Sequence, residues 1–367
     1  VEAASSTGGQ IMPPIMGAAA FIMAEMTGYE YSDIIVRAIL PAFLYFLGIF
    51  LGVHFKAKKL GLVGLKREEL PKWKLLLPKI YLLLPLIILT WMVIAGQTMA
   101  KSAIYGTIVA IVVGIINKDD RMTPTKFVNG LENGGKNCLS IGIACGIAGI
   151  ISVCITMTGL GGLLITYVVK LSNGHLFIAL FLTMICCIIL GMGVPTTANY
   201  IIMASTCAPI LINGMGMHIL AANMFVFYFG IVADITPPVA LAAYAGAAIA
   251  KAPPMKTALN ATRLAIAAFI IPYIFAYNNA MIFVGDVTFL GVASIVISAT
   301  LGMASIASGF MGYLIHDLKW YSRIALIAGG LLMVIPGTVT DLAGLAILIV
   351  ILLIQRAENK KEKKAAV

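Results

Sequence analysis

Charge is what this chain has least of. Only 11% of its 367 residues are Asp, Glu, Lys or Arg, and just 15 are acidic. No acid, base and metal-ligand set clusters near one depth, which speaks against an enzyme. The four histidines, His54, His175, His218 and His316, sit at the ends of predicted segments. None pairs with another at i, i+4, the spacing that places two imidazoles on one helix face for zinc. The six cysteines, Cys138, Cys145, Cys154, Cys186, Cys187 and Cys207, lie in apolar runs without metal-type spacing. They read as buried, reduced thiols. No basic patch interleaved with aromatics is present, so a nucleic-acid partner is excluded. An initiator methionine and a signal peptide are also missing. The opening Val1-Glu2-Ala3-Ala4-Ser5-Ser6 reads as the middle of a longer protein.

Apolar sequence is what the chain has instead. It is 61% hydrophobic, with a mean hydropathy of +1.02. Many stretches reach the roughly 20 apolar residues that a bilayer-spanning helix needs. The fold class is therefore all-α, a polytopic membrane protein embedded in a lipid bilayer. Thirty-six glycines suit close helix–helix packing in lipid. The net charge of +10 is concentrated in two places. Lys56, Lys58, Lys59, Lys66, Arg67, Lys72, Lys74 and Lys79 face only Glu68 and Glu69, and Arg356, Lys360, Lys361, Lys363 and Lys364 face Glu358 and Glu362. Basic flanks mark cytoplasmic loops, so the excess is topology. Trp73 and Tyr81 are expected interface anchors.

One short pattern occurs twice. Gln10-Ile11-Met12-Pro13-Pro14 is followed by a run of small residues, and so is Asp234-Ile235-Thr236-Pro237-Pro238. A solitary arginine, Arg37 or Arg263, lies about two dozen residues beyond each pair. Proline has no N–H and clashes with the preceding turn, so two in a row break a helix. Proline suits a first helical turn, so helix is expected to resume at once, from Pro14 to Met26 in the first copy. Two membrane helices interrupted in corresponding places of two halves point to a secondary transporter's binding site.

Along the chain, a span is expected over 32–54 with Ser32 or Asp33 as its cap, then spans over 80–97 and 99–116. Residues 123–137 read as a short helix along the membrane surface. From Cys138 to Tyr167 the sequence is apolar, with a break at Thr158-Gly159-Leu160-Gly161-Gly162. Residues 176–213 hold Gly191-Met192-Gly193-Val194-Pro195-Thr196-Thr197 between limbs of about 15 and 14 residues. Limbs that short read as a re-entrant hairpin, with a proline-kinked span as the alternative. The second broken helix is expected over 221–250 and a further span over 258–279. Stretches 288–314 and 322–355 follow, the latter broken at Pro336-Gly337-Thr338. Glu25 and Lys101 fall near helix ends and read as structural.

A broken helix offers carbonyls with partial negative charge for a cation and N–H groups for a carboxylate. Ser5, Ser6, Thr7, Thr196, Thr197 and Thr236 add hydroxyl oxygens. The alternative is that these groups merely satisfy a kink. Asp234 is the one carboxylate beside either Pro pair, and it stands open to cation binding, proton carriage or pairing with an arginine. Arg37 and Arg263 could reach a substrate carboxylate or snorkel to the interface.

The stretches Thr7 to Glu25, Gly191 to Tyr200 and Ala233 to Tyr244 resemble the permease of tripartite ATP-independent periplasmic (TRAP) transporters, in the TAXI branch, over at least residues 1–280. The resemblance implies an inverted-repeat, elevator-type transporter with a re-entrant hairpin and discontinuous helices. It implies a transport domain holding residues 1–30 and 138–250, a scaffold at 31–137 and 251–285, and a C-terminal extension with a basic tail at 286–367. Sodium sites of relatives map onto Ser6, Thr7, Gly8, Gly9, Met12 and Pro13, and onto Gly191, Val194, Thr196, Thr197, Asp234, Thr236 and Pro237. Candidate substrate contacts are Gln10, Pro14, Thr197, Asn199 and Pro238. No cofactor is implied beyond sodium as coupling ion. A periplasmic substrate-binding protein is the implied partner, and a first hairpin and small-subunit-like helices would precede Val1. The expected function is import of small organic anions, such as dicarboxylates or glutamate, across the bacterial inner membrane. Proton coupling, a passive channel and a membrane-embedded enzyme are the rivals.

Overall fold

The computed structural model describes residues 1–64, 73–117, 120–285, 287–334 and 337–365. Lys66, Arg67, Glu68, Glu69 and Lys72 of the basic loop, Lys118 and Asp119, and Pro336 of the last expected break lie outside the described residues. Every regular element among the described residues is helical.

Helix α1 (Glu2–Gly8) and helix α2 (Ala18–Thr27) flank a non-helical stretch. Helix thus resumes at Ala18 and not at Pro14. A residue that precedes proline is pushed toward extended backbone, and the Pro13–Pro14 peptide is cis. Gly17, itself extended at ψ 164°, becomes the N-cap. Its N–H closes the loop by donating to the Gln10 carbonyl at 3.0 Å.

Helix α3 (Tyr31–Lys59) is a full span whose N-cap is Glu30, not Ser32 or Asp33. Asp33 lies in the first turn, where a negative charge is favoured by the helix dipole. A short α4 (Trp73–Leu76) and a 3-10 segment (Leu77–Leu83) lead into α5 (Leu84–Ile94) and α6 (Met99–Ile116).

Helix α7 (Pro124–Met157) overturns the separate surface helix at 123–137. The polar segment and the apolar run after it are one helix of 34 residues. Glycines alone lower helix propensity by only about 1 kcal/mol each and do not end it. Cys138 and Cys154 are exposed on this helix, so the expectation of six buried thiols fails there; Cys186 is half-buried, and Cys187 and Cys207 are buried. The Cys145 side chain lies outside the described residues.

Helix α8 (Leu160–Ser172) starts after Gly159, at φ 69°, so the break near Thr158 is present but brief. Helix α9 (Leu176–Gly191) is joined by a turn to α10 (Thr196–Thr206), which bends at Cys207 into α11 (Ala208–Met215). The second limb is therefore a bent helical run of 20 residues, not about 14. Pro209 falls in the first turn of α11, where its missing N–H has no partner to lose, so the helix bends and continues. At about 1.5 Å per residue this limb is long enough to cross a bilayer.

Helix α12 (Ile219–Val232) passes through a 3-10 turn (Ala233–Ile235), breaks, and resumes as α13 (Leu241–Ile249). The Pro237–Pro238 peptide is cis, as in the first copy. Helices α14 (Pro254–Leu264) and α15 (Ile266–Tyr277) form one bent span. Helices α16 (Phe289–Met311), α17 (Trp320–Leu332) and α18 (Thr338–Ala365) close the chain. Among the described residues, six helices are long and apolar enough to cross a membrane: Tyr31–Lys59, Leu77–Ile94, Thr196–Met215, Pro254–Tyr277, Phe289–Met311 and Thr338–Glu358.

The centre of the molecule is α12, buried at every position from Leu220 to Val232. A helix apolar on all sides has to be enclosed, and here α2, α9, α10 and α15 enclose it. Helix α3 packs on α15 and on α16. A Cβ at Gly48 would lie 2.5 Å from the Cβ of Ala267, so α3 lies against α15 with no room for a side chain at Gly48. Through α16 the C-terminal region joins the same body as α3 and α15.

Candidate functional site

The last carbonyls of a helix and the first N–H groups after a break have no partner within the helix. The arrangement of the two broken helices decides where those groups go. Helix α1 packs on α13 and on the 3-10 turn at Ala233–Ile235, while α2 packs on α12. Tyr29, just after α2, contacts His218, just before α12, with its hydroxyl 3.3 Å from Nε2. The two helices therefore run antiparallel with their breaks level.

The turn after α9 meets the second break. A Cβ at Gly191 would lie 2.7 Å from Asn199 Nδ2 and 2.8 Å from the Ala233 Cβ. Asn199 is fully buried, and its Nδ2 donates to the Gly230 carbonyl at 3.1 Å. Helix α10, which carries Thr196, Thr197 and Asn199, packs on both α2 and α12. The structure thus brings Gly191, Thr197 and Asn199 together with the start of the second break, and places the first break alongside.

Many of the carbonyls freed by the breaks are already occupied. The Tyr31 hydroxyl donates to the Pro14 carbonyl at 3.0 Å, and the Tyr244 hydroxyl donates to that of Pro238. Thr236 Oγ1 donates to Val232 O at 2.7 Å and Thr262 Oγ1 to Ile235 O at 2.9 Å. In the first break Gly9, Gln10 and Ile11 donate their N–H groups to Ser6, Thr7 and Gly8. Among the described residues no donor reaches the carbonyls of Met12 and Pro13, or of Asp234 and Pro237. Two amide oxygens, Gln10 Oε1 and Asn199 Oδ1, are buried without a hydrogen-bond partner. Asp234 is half-buried in the 3-10 turn that ends α12. Acceptors without donors, a carboxylate and helix termini of both kinds are a chemistry that receives a cation.

The other candidates sit as follows. Thr7 and Gly8 are buried, and Ser6, Gly9 and Met12 are exposed. Pro13, Val194, Thr196, Thr236 and Pro237 are partly buried. With their carbonyls taken by tyrosines, Pro14 and Pro238 retain only ring contacts for a ligand. Arg37 neither snorkels free nor faces the breaks: its Nη1 donates to the Phe283 carbonyl at 2.7 Å and its guanidinium lies 5.3 Å over the Tyr29 ring. Burial, and then the Arg37 charge, push the His218 imidazole below its ordinary range. The neutral ring accepts from the Leu220 N–H through Nδ1. Glu25 and Lys101 lie near helix ends, as expected.

Sequence reading missed Tyr31, Tyr244 and Thr262 as the groups that cap the breaks. Tyr244 lay inside the second motif and could have been found there. Tyr31 and Thr262 reach back 17 and 27 residues, with no local signal.

The family model described as "Tripartite ATP-independent periplasmic transporter, DctM component" matches residues 1–290. No curated protein and no solved structure matches the chain. The match covers both Pro-Pro breaks and the turn between α9 and α10, and it ends in the first turn of α16.

Proposed function

Because this chain belongs to the DctM-component family of tripartite ATP-independent periplasmic transporters, we propose that it imports small carboxylates by sodium symport. It is a multi-pass inner-membrane protein of a transporter family and not an enzyme. In this reading it is a TAXI-branch permease that takes its substrate from a periplasmic binding protein. One element group, containing the two breaks and the hairpin, carries ion and substrate past a scaffold built on α3 and α15.

One observation supports sodium at the breaks above the rest: among the described residues no donor reaches the carbonyls of Met12 and Pro13 in one break or of Asp234 and Pro237 in the other. Carbonyl oxygens without a donor and shielded from water are acceptors that a desolvated cation satisfies. In the proposed sites, Ser6, Thr7, Gly8, Gly9, Met12 and Pro13 surround one ion. Gly191, Val194, Thr196, Thr197, Asp234, Thr236 and Pro237 surround the other. Substrate lies between them against Gln10, Pro14, Thr197, Asn199 and Pro238, where the N-terminal ends of α2 and α13 favour a carboxylate.

The test is uptake into proteoliposomes holding the chain, with a candidate binding protein loaded with labelled dicarboxylate or glutamate on the outside. Sodium and pH gradients are imposed separately. Uptake is expected only with an inward sodium gradient and only with the binding protein present. Uptake that follows the pH gradient alone would replace sodium by protons, with Asp234 as the carrier, and gradient-free uptake would indicate a channel. Asp234→Asn is expected to lower the apparent sodium affinity, and unchanged coupling removes Asp234 from the mechanism.

A further inference from the structure

Two cavities meet at the end of α16, away from the breaks. One of about 390 Å³ is lined by Lys56 and Lys59 from α3, Asn260 and Arg263 from α14, and Arg323 from α17. The other, of about 420 Å³, is a groove between α9, α15, α16 and α17. Its walls include Phe181, Phe269, Ile306 and Leu331, and tyrosine hydroxyls are its only polar side-chain groups. Phe310 lines both cavities. Phe181 and Leu331 remain exposed, so the groove reaches the surface.

The basic cavity carries four cations. Lys59 Nζ lies 3.1 Å from the Asp317 carboxylate and donates to the Gly312 carbonyl at 3.2 Å. Arg323 donates to the Gly309 and Phe310 carbonyls at 2.9 and 3.1 Å. These two cap the C-terminus of α16, where cations are favoured. They converge closely: a Cβ at Gly312 would lie 3.1 Å from Lys59 Nζ and 3.2 Å from Arg323 Nε. Among the described residues no carboxylate pairs with Lys56 or Arg263. Like charges gathered in one cavity repel unless an anion joins them.

We propose that the two cavities together hold one anionic phospholipid of the cytoplasmic leaflet. Its phosphate lies among Lys56, Arg263 and Arg323, and one acyl chain runs past Phe310 into the groove. The basic loop after α3 and the basic tail of α18 put this end of the molecule in the cytoplasm by the positive-inside rule, and that leaflet is the anionic one. An apolar groove opening from a basic cavity at the depth of the headgroups fits an amphiphile with a charged head. A soluble anion would leave the groove without use. The site takes residues from α16 and α17, which lie almost wholly beyond the family match. It also borders α9, which carries the hairpin turn, so an occupying chain touches both the hairpin and α15.

The experiment is native mass spectrometry of the delipidated full chain, titrated with dioleoylphosphatidylglycerol or dioleoylphosphatidylcholine. Each basic side chain near an anionic lipid is worth roughly a fivefold gain, so Lys56 and Arg263 together predict a preference of about thirtyfold for the anionic lipid. The double variant Lys56→Gln/Arg263→Gln, which leaves the α16 caps in place, is expected to bring the two lipids within about threefold of each other. Lys58→Gln/Lys74→Gln, outside the cavity, is expected to keep the preference. Leu331→Trp, which fills the groove, is expected to weaken both lipids. Equal binding of the two lipids by the unmodified chain overturns the proposal, as does a preference surviving in the double variant. Displacement of the bound lipid by inorganic phosphate alone also overturns it, since the cavity would then take a soluble anion.

Discussion

Gly191 and Asn199 meet with no room between them. The side-chain amide of Asn199 caps Gly230, one of the last carbonyls of α12, and lies where any Cβ at Gly191 would be. Asn199→Leu removes that donor and the buried Oδ1 together, leaving the Gly230 carbonyl unpaired at a cost of about 1–3 kcal/mol. We expect sodium-driven uptake to fall about tenfold or more, at roughly 1.4 kcal/mol per decade, with the apparent sodium constant raised. Gly191→Ala is expected to act in the same direction by overpacking, again about 1–3 kcal/mol. Initial uptake rates over a sodium series check both, with size-exclusion profiles confirming that the variants fold. Wild-type sodium-driven uptake by Asn199→Leu removes this residue from the substrate contacts. Asn199 was legible in the sequence because a polar amide stood in an apolar motif after a glycine-rich turn. Its partner on α12 was not legible, because a backbone carbonyl leaves no mark in the sequence.

The elements followed their local chemistry closely wherever a breaker was strong. Both Pro pairs interrupt helix, and Gly159 and Asn173-Gly174 end helices through left-handed backbone. The sequence misled where the breaker was weak. Residues 123–137 read as a separate surface helix and the second limb as about 14 residues, yet neither the glycines Gly130, Gly134 and Gly135 nor Pro209 ends the helical run. Helical hydrogen bonding continued through both, since neither removed more than a turn's worth of partners. The contact of α3 with the bent span of α14 and α15 is an element-scale device, with Gly48 against Ala267 of α15 and Gly52 against Leu264 of α14. Without a hydrophobic drive between helices in lipid, such close approach supplies the dispersion contacts that hold them. Gly48→Leu is expected to destabilise the fold by about 1–3 kcal/mol. Thermal unfolding in detergent measures it, and an unchanged midpoint would show that the two helices are not held by that contact.

At the scale of the molecule, basic residues collect at one end of α3, α14, α16 and α18, and Glu30 marks the opposite end of α3. The positive-inside rule then fixes sidedness. In a background with the native cysteines replaced by serine, Glu30→Cys is expected to react with a membrane-impermeant maleimide in intact spheroplasts. Lys74→Cys is expected to react only after lysis. The reverse pattern would turn the molecule over and move the basic cavity to the other leaflet.

The sequence by itself determined that the chain lives in a bilayer, where two of its helices must break, and which end carries positive charge. Those are local matters: transfer cost per side chain, a missing N–H, a run of lysines. Only the tertiary structure decided that the breaks lie level and antiparallel, with a hairpin turn against one of them. It also decided which exposed carbonyls are taken by Tyr31, Tyr244 and Thr262 and which are left to a ligand. A freed carbonyl accepts from whichever donor the packing brings within about 3 Å. Chain positions far apart in sequence cannot declare that meeting in advance.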